Sequence, residues 1–230
     1  MAYRYVLQHA IRNAAHILTP SQYMKGRVCT EHGRRERDVT VTPEGAMTGM
    51  HAKAELPHIV QKPYILVVGS AYPHKNLEAL SRAFLNVRER YRKYSLVFVG
   101  RNDFFMRRFC EEHKGSVGML FLGEVTDAVL TALYQNASCL AFPSLEEGFG
   151  LPGIEALQYG IPVLAGDRAS LPEVYGEHAW YVNPYNVEEI ARVLEEMLRN
   201  GKSVVHMPET EDAWKVLAKK TLEVYRKIAS

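Results

Sequence analysis

The sequence has 230 residues, enough for one large or two small domains, and its 47% hydrophobic and 23% charged content is that of a folded protein rather than a disordered one. With 28 basic against 26 acidic residues the formal net charge is +2, so nothing in the overall charge points to nucleic acid. Three widely spaced cysteines, Cys29, Cys110 and Cys139, fit neither a disulfide framework nor a metal-ligand spacing, and no apolar run approaches the ~20 residues of a membrane span. The first residues lack the apolar core of a secretory signal, so the protein is read as cytoplasmic, free or peripheral to a membrane.

In chain order, residues 3–13 carry a helical pattern, 16–19 a short strand, 22–32 a second helix and 38–42 another strand. Residues 44–61 show little periodicity, so 47–62 is taken as a linker between a small α/β portion, 1–46, and a complete domain, 63–230. From Pro63 onward short apolar runs alternate with helical stretches, the signature of repeated β-α units on a parallel sheet. Strands are predicted at 64–68, 96–99, 119–122, 139–142, 162–165 and 179–182. Helices are predicted at about 76–93, 104–113, 127–136, 153–159, 170–175, 187–199 and 209–228. The fold class is therefore α/β, a Rossmann-like doubly wound parallel sheet with a small amino-terminal α/β remnant. Two basic stretches, Arg34-Arg35-Glu36-Arg37 and Arg88-Glu89-Arg90-Tyr91-Arg92-Lys93, are broken by acids and read as solvated faces.

The strand ends are the informative positions. Gly69, Gly100, Gly123, Pro143-Ser144 and Gly166 each follow a predicted strand, and in an open parallel sheet a ligand lies outside the carboxyl ends, where tight turns let backbone approach it. Any β-α turn favours glycine, so this punctuation supports the fold more than it identifies a ligand. The sharpest segment is Pro143-Ser144-Leu145-Glu146-Glu147-Gly148-Phe149-Gly150-Leu151-Pro152-Gly153-Ile154-Glu155-Ala156. A strand ends, a Gly-x-Gly turn follows, Pro152 marks the start of a helix and Glu155 falls in its first turn. Free amides at Gly148 to Leu151 and the helix dipole suit a phosphate, whereas carboxylates suit sugar or ribose hydroxyls. Taken singly, Glu155 complementing the helix dipole and Glu147 sitting solvated in a turn are the plainer readings. The ordered string as a whole argues against them.

This segment, two glutamates separated by seven residues around Gly-Phe-Gly-Leu-Pro, resembles the signature of the family-4 retaining glycosyltransferases of GT-B type. That family includes sucrose and glycogen synthase relatives and many mannosyltransferases. The resemblance extends through Gly69-Ser70-Ala71-Tyr72-Pro73-His74-Lys75-Asn76, Val99-Gly100, Phe121-Leu122-Gly123-Glu124-Val125, Leu133-Tyr134-Gln135-Asn136-Ala137 and Leu171-Pro172-Glu173-Val174. It covers roughly 63–228, the family's carboxyl-terminal, nucleotide-sugar-binding domain. It implies that Lys75 pairs with a diphosphate, that Glu147 and the amides of Gly148, Phe149 and Gly150, continuing to Leu151, hold the sugar and distal phosphate, and that Glu155 takes ribose hydroxyls. Lys75 and Glu147 would carry the catalytic roles. Glu124 and Val125 would lie by the base, read largely through backbone, so uridine and guanosine stay open.

His74 stands where the family usually has arginine, and an imidazole lacks the permanently charged bidentate fork of a guanidinium. Arg101, just after the second strand of the domain, is a substitute cation or equally a surface arginine. Near the amino terminus, Ala14-Ala15-His16-Ile17-Leu18-Thr19-Pro20-Ser21 and Val39-Thr40-Val41-Thr42-Pro43-Glu44-Gly45 match only the closing units of the family's acceptor domain. Most of that domain lies outside these residues, whether through natural truncation, a split gene or excerpting. The remnant's apolar faces at Tyr5, Val6, Ile11, Ile17 and Leu18 then need cover, from the donor domain, a second copy or a dedicated acceptor-domain partner.

No Asp-x-Asp pair or His/Cys cluster stands at a strand end; His51, His58 and His113 have no metal spacing, so no metal and no cofactor are expected. Ser144 has no Gly-x-Ser-x-Gly setting for a hydrolase nucleophile. The apolar stripe Trp214, Leu217, Leu222 and Tyr225 reads as packing. The leading expectation is glycosyl transfer from a nucleoside diphosphate sugar to a carbohydrate or lipid-linked acceptor with retention. A nucleotide-sugar-binding module without independent catalysis is the alternative. A retaining glycosidase, with Glu147 and Glu155 as acid and nucleophile, fits less well because the glycine-rich helix start and Lys75 point to phosphate.

Overall fold

A computed structural model describes residues 2–45, 55–200 and 213–229. The predicted linker is thus described only from residue 55, and the predicted start of the last helix at 209, like His51, lies outside the described residues. The amino-terminal portion comprises α1 (Ala2–Asn13), β1 (Ile17–Thr19), α2 (Gln22–His32) and β2 (Val39–Val41). The two strands pair in parallel, Ile17 with Val39 and Thr19 with Val41. Ser21 caps α2 by accepting a hydrogen bond from the Met24 amide at 3.2 Å, and Gly33 ends it in the left-handed conformation, φ 65°.

The main unit follows the expected alternation: β3 (Tyr64–Val68), α3 (Leu77–Arg88), β4 (Ser95–Val99), α4 (Phe104–Glu112), β5 (Met119–Gly123), α5 (Asp127–Asn136) and β6 (Cys139–Phe142). It continues through α6 (Leu151–Gln158), β7 (Val163–Gly166), α7 (Leu171–Tyr175), β8 (Ala179–Val182) and α8 (Val187–Asn200), and α9 (Ala213–Ala229) closes the described chain. The six strands of this unit form one parallel sheet in the order β5-β4-β3-β6-β7-β8. Strands buried on both faces need apolar residues at every position, which is why Tyr64-Ile65-Leu66-Val67 form an unbroken apolar run.

The period-two pleat sorts these side chains onto two layers. Ile65, Val67, Leu96 and Phe98 pack with α3, α4 and α8, while Tyr64, Leu66, Val97 and Val99 pack with α5, α6 and α7. Helix α3 faces the sheet through Leu77, Leu80, Ala83, Phe84 and Val87, and α8 through Ile190, Val193, Leu194, Met197 and Leu198, both at helical spacing. Strand order reverses between β3 and β6. A crevice at such a switch point, outside the carboxyl ends, is where this architecture receives ligands.

Helix α3, predicted to reach residue 93, stops at Arg88, where the chain turns and Arg90 and Tyr91 both donate to the Val87 carbonyl at 3.1 Å. Tyr5 and Val6 of α1 remain 74% and 63% exposed, so the described residues do not cover that face. Against β2 lies α9, whose Lys220 Nζ donates to the Val41 carbonyl at 3.4 Å.

Candidate active site

Lys75 is aimed by the turn after β3. Gly69 adopts φ 128°, a conformation that side-chain-bearing residues rarely take, and its amide donates to the Val99 carbonyl at 2.8 Å. A Cβ on Gly100 would sit 2.2 Å from the Gly69 carbonyl oxygen, so the ends of β3 and β4 can meet only through glycine. A 3₁₀ turn over Pro73–Lys75 follows, and Asn76 Nδ2 donates to the carbonyls of Pro143 at 3.1 Å and Pro184 at 2.6 Å. The Leu145 amide donates to the His74 carbonyl at 2.7 Å. These bonds fasten the β3 loop to the loop after β6 and turn the Lys75 side chain back over Gly69, 4.7 Å from the Phe142 ring centroid.

There Lys75 Nζ donates to Glu147 Oε1 at 2.7 Å, the two side chains only 17% and 10% exposed. Behind Glu147 the chain enters α6 through Gly150, φ 99°. The fully buried Tyr175 donates its hydroxyl to the Gly150 carbonyl at 2.6 Å, and a Cβ on Gly153 would lie 2.3 Å from that same hydroxyl. Ser170 Oγ donates to the Glu147 carbonyl at 2.9 Å. The glycine spacing thus has a packing cause in addition to its exposure of backbone. Among the described residues the amides of Gly148, Phe149, Gly150 and Leu151 donate to no protein acceptor, and they stand at the amino-terminal, positive end of α6.

Glu155 requires a correction. Helix α6 begins at Leu151, two residues before its predicted start, because Pro152 fits a first-turn position and Gly150 supplies the entry conformation. Glu155 therefore lies in the second turn rather than the first and does not serve the helix dipole. It is half-buried, accepting the Tyr134 hydroxyl on Oε2 at 2.7 Å. Burial raises its pKa above the ordinary carboxylate value, opposed by the Tyr134 hydrogen bond and reinforced by Asp127.

The other predicted site residues divide. Phe149 packs partly buried against the second core layer, as does Val125. Arg101 and Glu124 meet at 3.3 Å, but their side chains are 79% and 68% exposed, and Arg101 is directed to a carboxylate rather than to the Lys75 site. His74 stacks on Tyr72, ring centroids 5.7 Å apart, and contributes its carbonyl rather than a second cation to the loop. Among the described residues no three carboxylate, imidazole or thiol groups gather into a metal-binding cluster, and no helix is long and apolar enough to cross a membrane.

Several residues at this site were outside the sequence reading. Ser170 and Tyr175 support the loop from within the main unit, and Tyr134 holds Glu155 on α6. Ser21, Tyr23 and Arg27 arrive from α2: Ser21 Oγ donates to the Gly148 carbonyl at 2.7 Å, Tyr23 Oη donates to Glu146 Oε1 at 2.9 Å, and Arg27 pairs with the same Glu146 oxygen. Sequence separations of 119 to 127 residues leave no periodic signal for such contacts. The one local sign was Ser21 itself, an amino-cap residue after Pro20.

The strand order and the glycine-lined carboxyl edge define a Rossmann-like α/β unit of GT-B type. The chain belongs to the glycosyl transferases group 1 family, whose model matches residues 51–214. It is 29% identical over 189 residues to the O-antigen chain mannosyltransferase RfbU of Salmonella typhimurium, covering 79% of this chain and 50% of that protein. It is 32% identical over 171 residues to the serotype-specific mannosyltransferase WbdA of Escherichia coli, covering 72% of this chain and 21% of the relative. The chain thus spans half or less of the length of these curated relatives. Among solved structures, sucrose-phosphate synthase from Thermosynechococcus elongatus matches with a TM-score of 0.76 at 21% identity, covering 98% of this chain and 62% of that one, a likeness of fold.

Proposed function

We propose that the chain supplies the donor-binding half of a retaining glycosyltransferase and that its donor is a nucleoside diphosphate mannose. The observation that carries this reading is the Lys75–Glu147 pair, 2.7 Å apart at the switch point beside the amino-terminal end of α6. The sugar is suggested by relatives named as mannosyltransferases, one of them described as GDP-mannose-dependent. In this reading 63–230 is the donor unit, 47–62 the linker and 1–46 the acceptor-side portion.

Diphosphate oxygens would take Lys75 from Glu147 and accept the amides of Gly148 to Leu151, leaving Glu147 to receive sugar hydroxyls. Glu155, with Oε2 already held by Tyr134, would offer Oε1 to the ribose. In the transfer step the bond from the anomeric carbon to the phosphate oxygen breaks and its electron pair leaves with the diphosphate. The charge that develops there meets the Lys75 ammonium and the helix amides, groups fixed before reaction. The acceptor oxygen bonds to the same face of the anomeric carbon, and its proton passes to the departing phosphate. In the donor complex Glu147 would be occupied by sugar hydroxyls and Glu155 by the Tyr134 hydroxyl and the ribose, which favours this front-face course over a covalent glycosyl-enzyme. Binding is proposed to need no divalent metal, because the cationic and amide donors themselves meet the diphosphate.

Transfer also requires the acceptor hydroxyl to be held about 3 to 3.5 Å from the anomeric carbon, positioning worth several kcal/mol of barrier. That wall is proposed to come from an acceptor domain. Calorimetric titration of the chain with GDP, UDP, GDP-mannose and UDP-glucose after chelation tests the reading: GDP and GDP-mannose should bind. Binding of none of the four would overturn it, and binding only after magnesium or manganese is restored would overturn its metal-free part.

A further inference from the structure

The loop that carries Glu147 is held from two sides, and one of them is the amino-terminal portion. Ser170, just before α7, binds the Glu147 carbonyl at 2.9 Å. Across from it, Ser21 binds the next carbonyl, that of Gly148, at 2.7 Å, while Tyr23 and Arg27 converge on the preceding side chain, Glu146. Pro20 and Met24 lie 3.8 Å from the position a Cβ on Gly148 would occupy. Helix α2 is itself pinned to the main unit: both Glu173 oxygens accept from its first amides, Gln22 at 2.7 Å and Tyr23 at 3.0 Å. A carboxylate there satisfies otherwise orphaned donors and complements the positive helix end. The Arg27 guanidinium, also held by Glu31 at 2.5 Å, is braced from its own helix.

We infer that α2 is a positioning element of the donor site, Arg27, Tyr23 and Ser21 setting the Glu146–Glu147–Gly148 backbone so that Glu147 can meet the sugar. This rests on the donor-site reading above. Each residue flanking Glu147 is fixed by α2, so loosening α2 leaves Lys75 in place but frees the Glu147 carboxylate to wander. The consequence is selective: recognition of the sugar suffers more than recognition of the diphosphate.

The test is calorimetry of Arg27→Ala, Tyr23→Phe and Glu173→Gln with GDP and with GDP-mannose, each variant checked for an unchanged thermal unfolding transition. Tyr23→Phe removes a single hydroxyl and keeps the test usable if Arg27→Ala unfolds. The expected result is about three- to tenfold weaker GDP-mannose binding with a smaller change for GDP. The reversed pair Arg27→Glu with Glu146→Arg should recover part of the loss seen with Arg27→Glu alone. Equal losses for the two ligands, or none for either, would overturn the inference. Lys75→Ala run alongside separates the two readings: if the parent binds neither ligand, or if Lys75→Ala binds both as well as the parent does, the donor-site reading falls and this inference with it.

Discussion

Two cation–carboxylate pairs stand at the carboxyl edge of the same sheet, and they differ in almost everything except chemistry. Lys75 and Glu147 meet at 2.7 Å with 17% and 10% of their side chains exposed, held by turns that only glycine permits. Arg101 and Glu124 meet at 3.3 Å with 79% and 68% exposed. Water screens the second pair and competes for each of its hydrogen bonds, so its interaction is weak and its geometry loose. The first pair is partly withdrawn from water beside an aromatic ring and a helix amino terminus, where an incoming anion is felt strongly. Proximity to a strand end therefore does not by itself withdraw a charge from water; the packing that desolvates and aims it does.

The largest expected effect breaks the buried pair. Lys75→Ala should weaken nucleoside diphosphate binding by about 1.5 to 3 kcal/mol, the usual worth of a hydrogen bond to a charged group, read by calorimetry. Unchanged affinity would remove Lys75 from the site.

Next comes the support beneath the pair. Tyr175→Phe leaves the Gly150 carbonyl with only the Gly153 amide, 3.1 Å away, and should cost about 1 kcal/mol of stability in chemical unfolding. An unaltered unfolding midpoint would show that the loop does not depend on this bond.

Glu155 provides a subtler comparison through pH. Burial raises its pKa in the folded state, so the stability it contributes is full below its ordinary value of 4.5 and is lost as pH rises through the raised value. Glu155→Gln stays neutral and keeps the Tyr134 hydroxyl supplied with an acceptor. The melting temperature of the variant relative to the parent should therefore climb as pH rises from 4.5 toward neutrality. A difference that is flat or falls with pH would contradict the assignment. The smallest effect is expected of the exposed pair: Arg101→Ala should change nucleotide affinity by less than about twofold, and a tenfold loss would place Arg101 in the site.

Much of this arrangement was legible in the sequence because it is written locally. Continuous apolar runs at 64–68, 139–142 and 179–182 coincide with β3, β6 and β8, and the residues at 22–32 coincide with α2. Lys75, Glu147 and the glycine turn sit at strand ends, so the α/β alternation alone placed them on one edge. What stayed illegible is long-range or conformational. The partnership of Tyr134 with Glu155, the choice of Glu124 by Arg101 and the reach of α2 onto Gly148 depend on tertiary packing that no periodicity reports. The boundaries that shifted did so for local reasons, the φ of 99° at Gly150 setting the start of α6 and the turn after Val87 ending α3.

A crystal structure of the chain with GDP tests the central claim most directly. The account predicts the diphosphate within hydrogen-bond distance of Lys75 Nζ and the amides of Gly148 to Leu151, with Glu147 displaced from Lys75. Nucleotide bound elsewhere on the molecule, with Lys75 and Glu147 still paired, would contradict it.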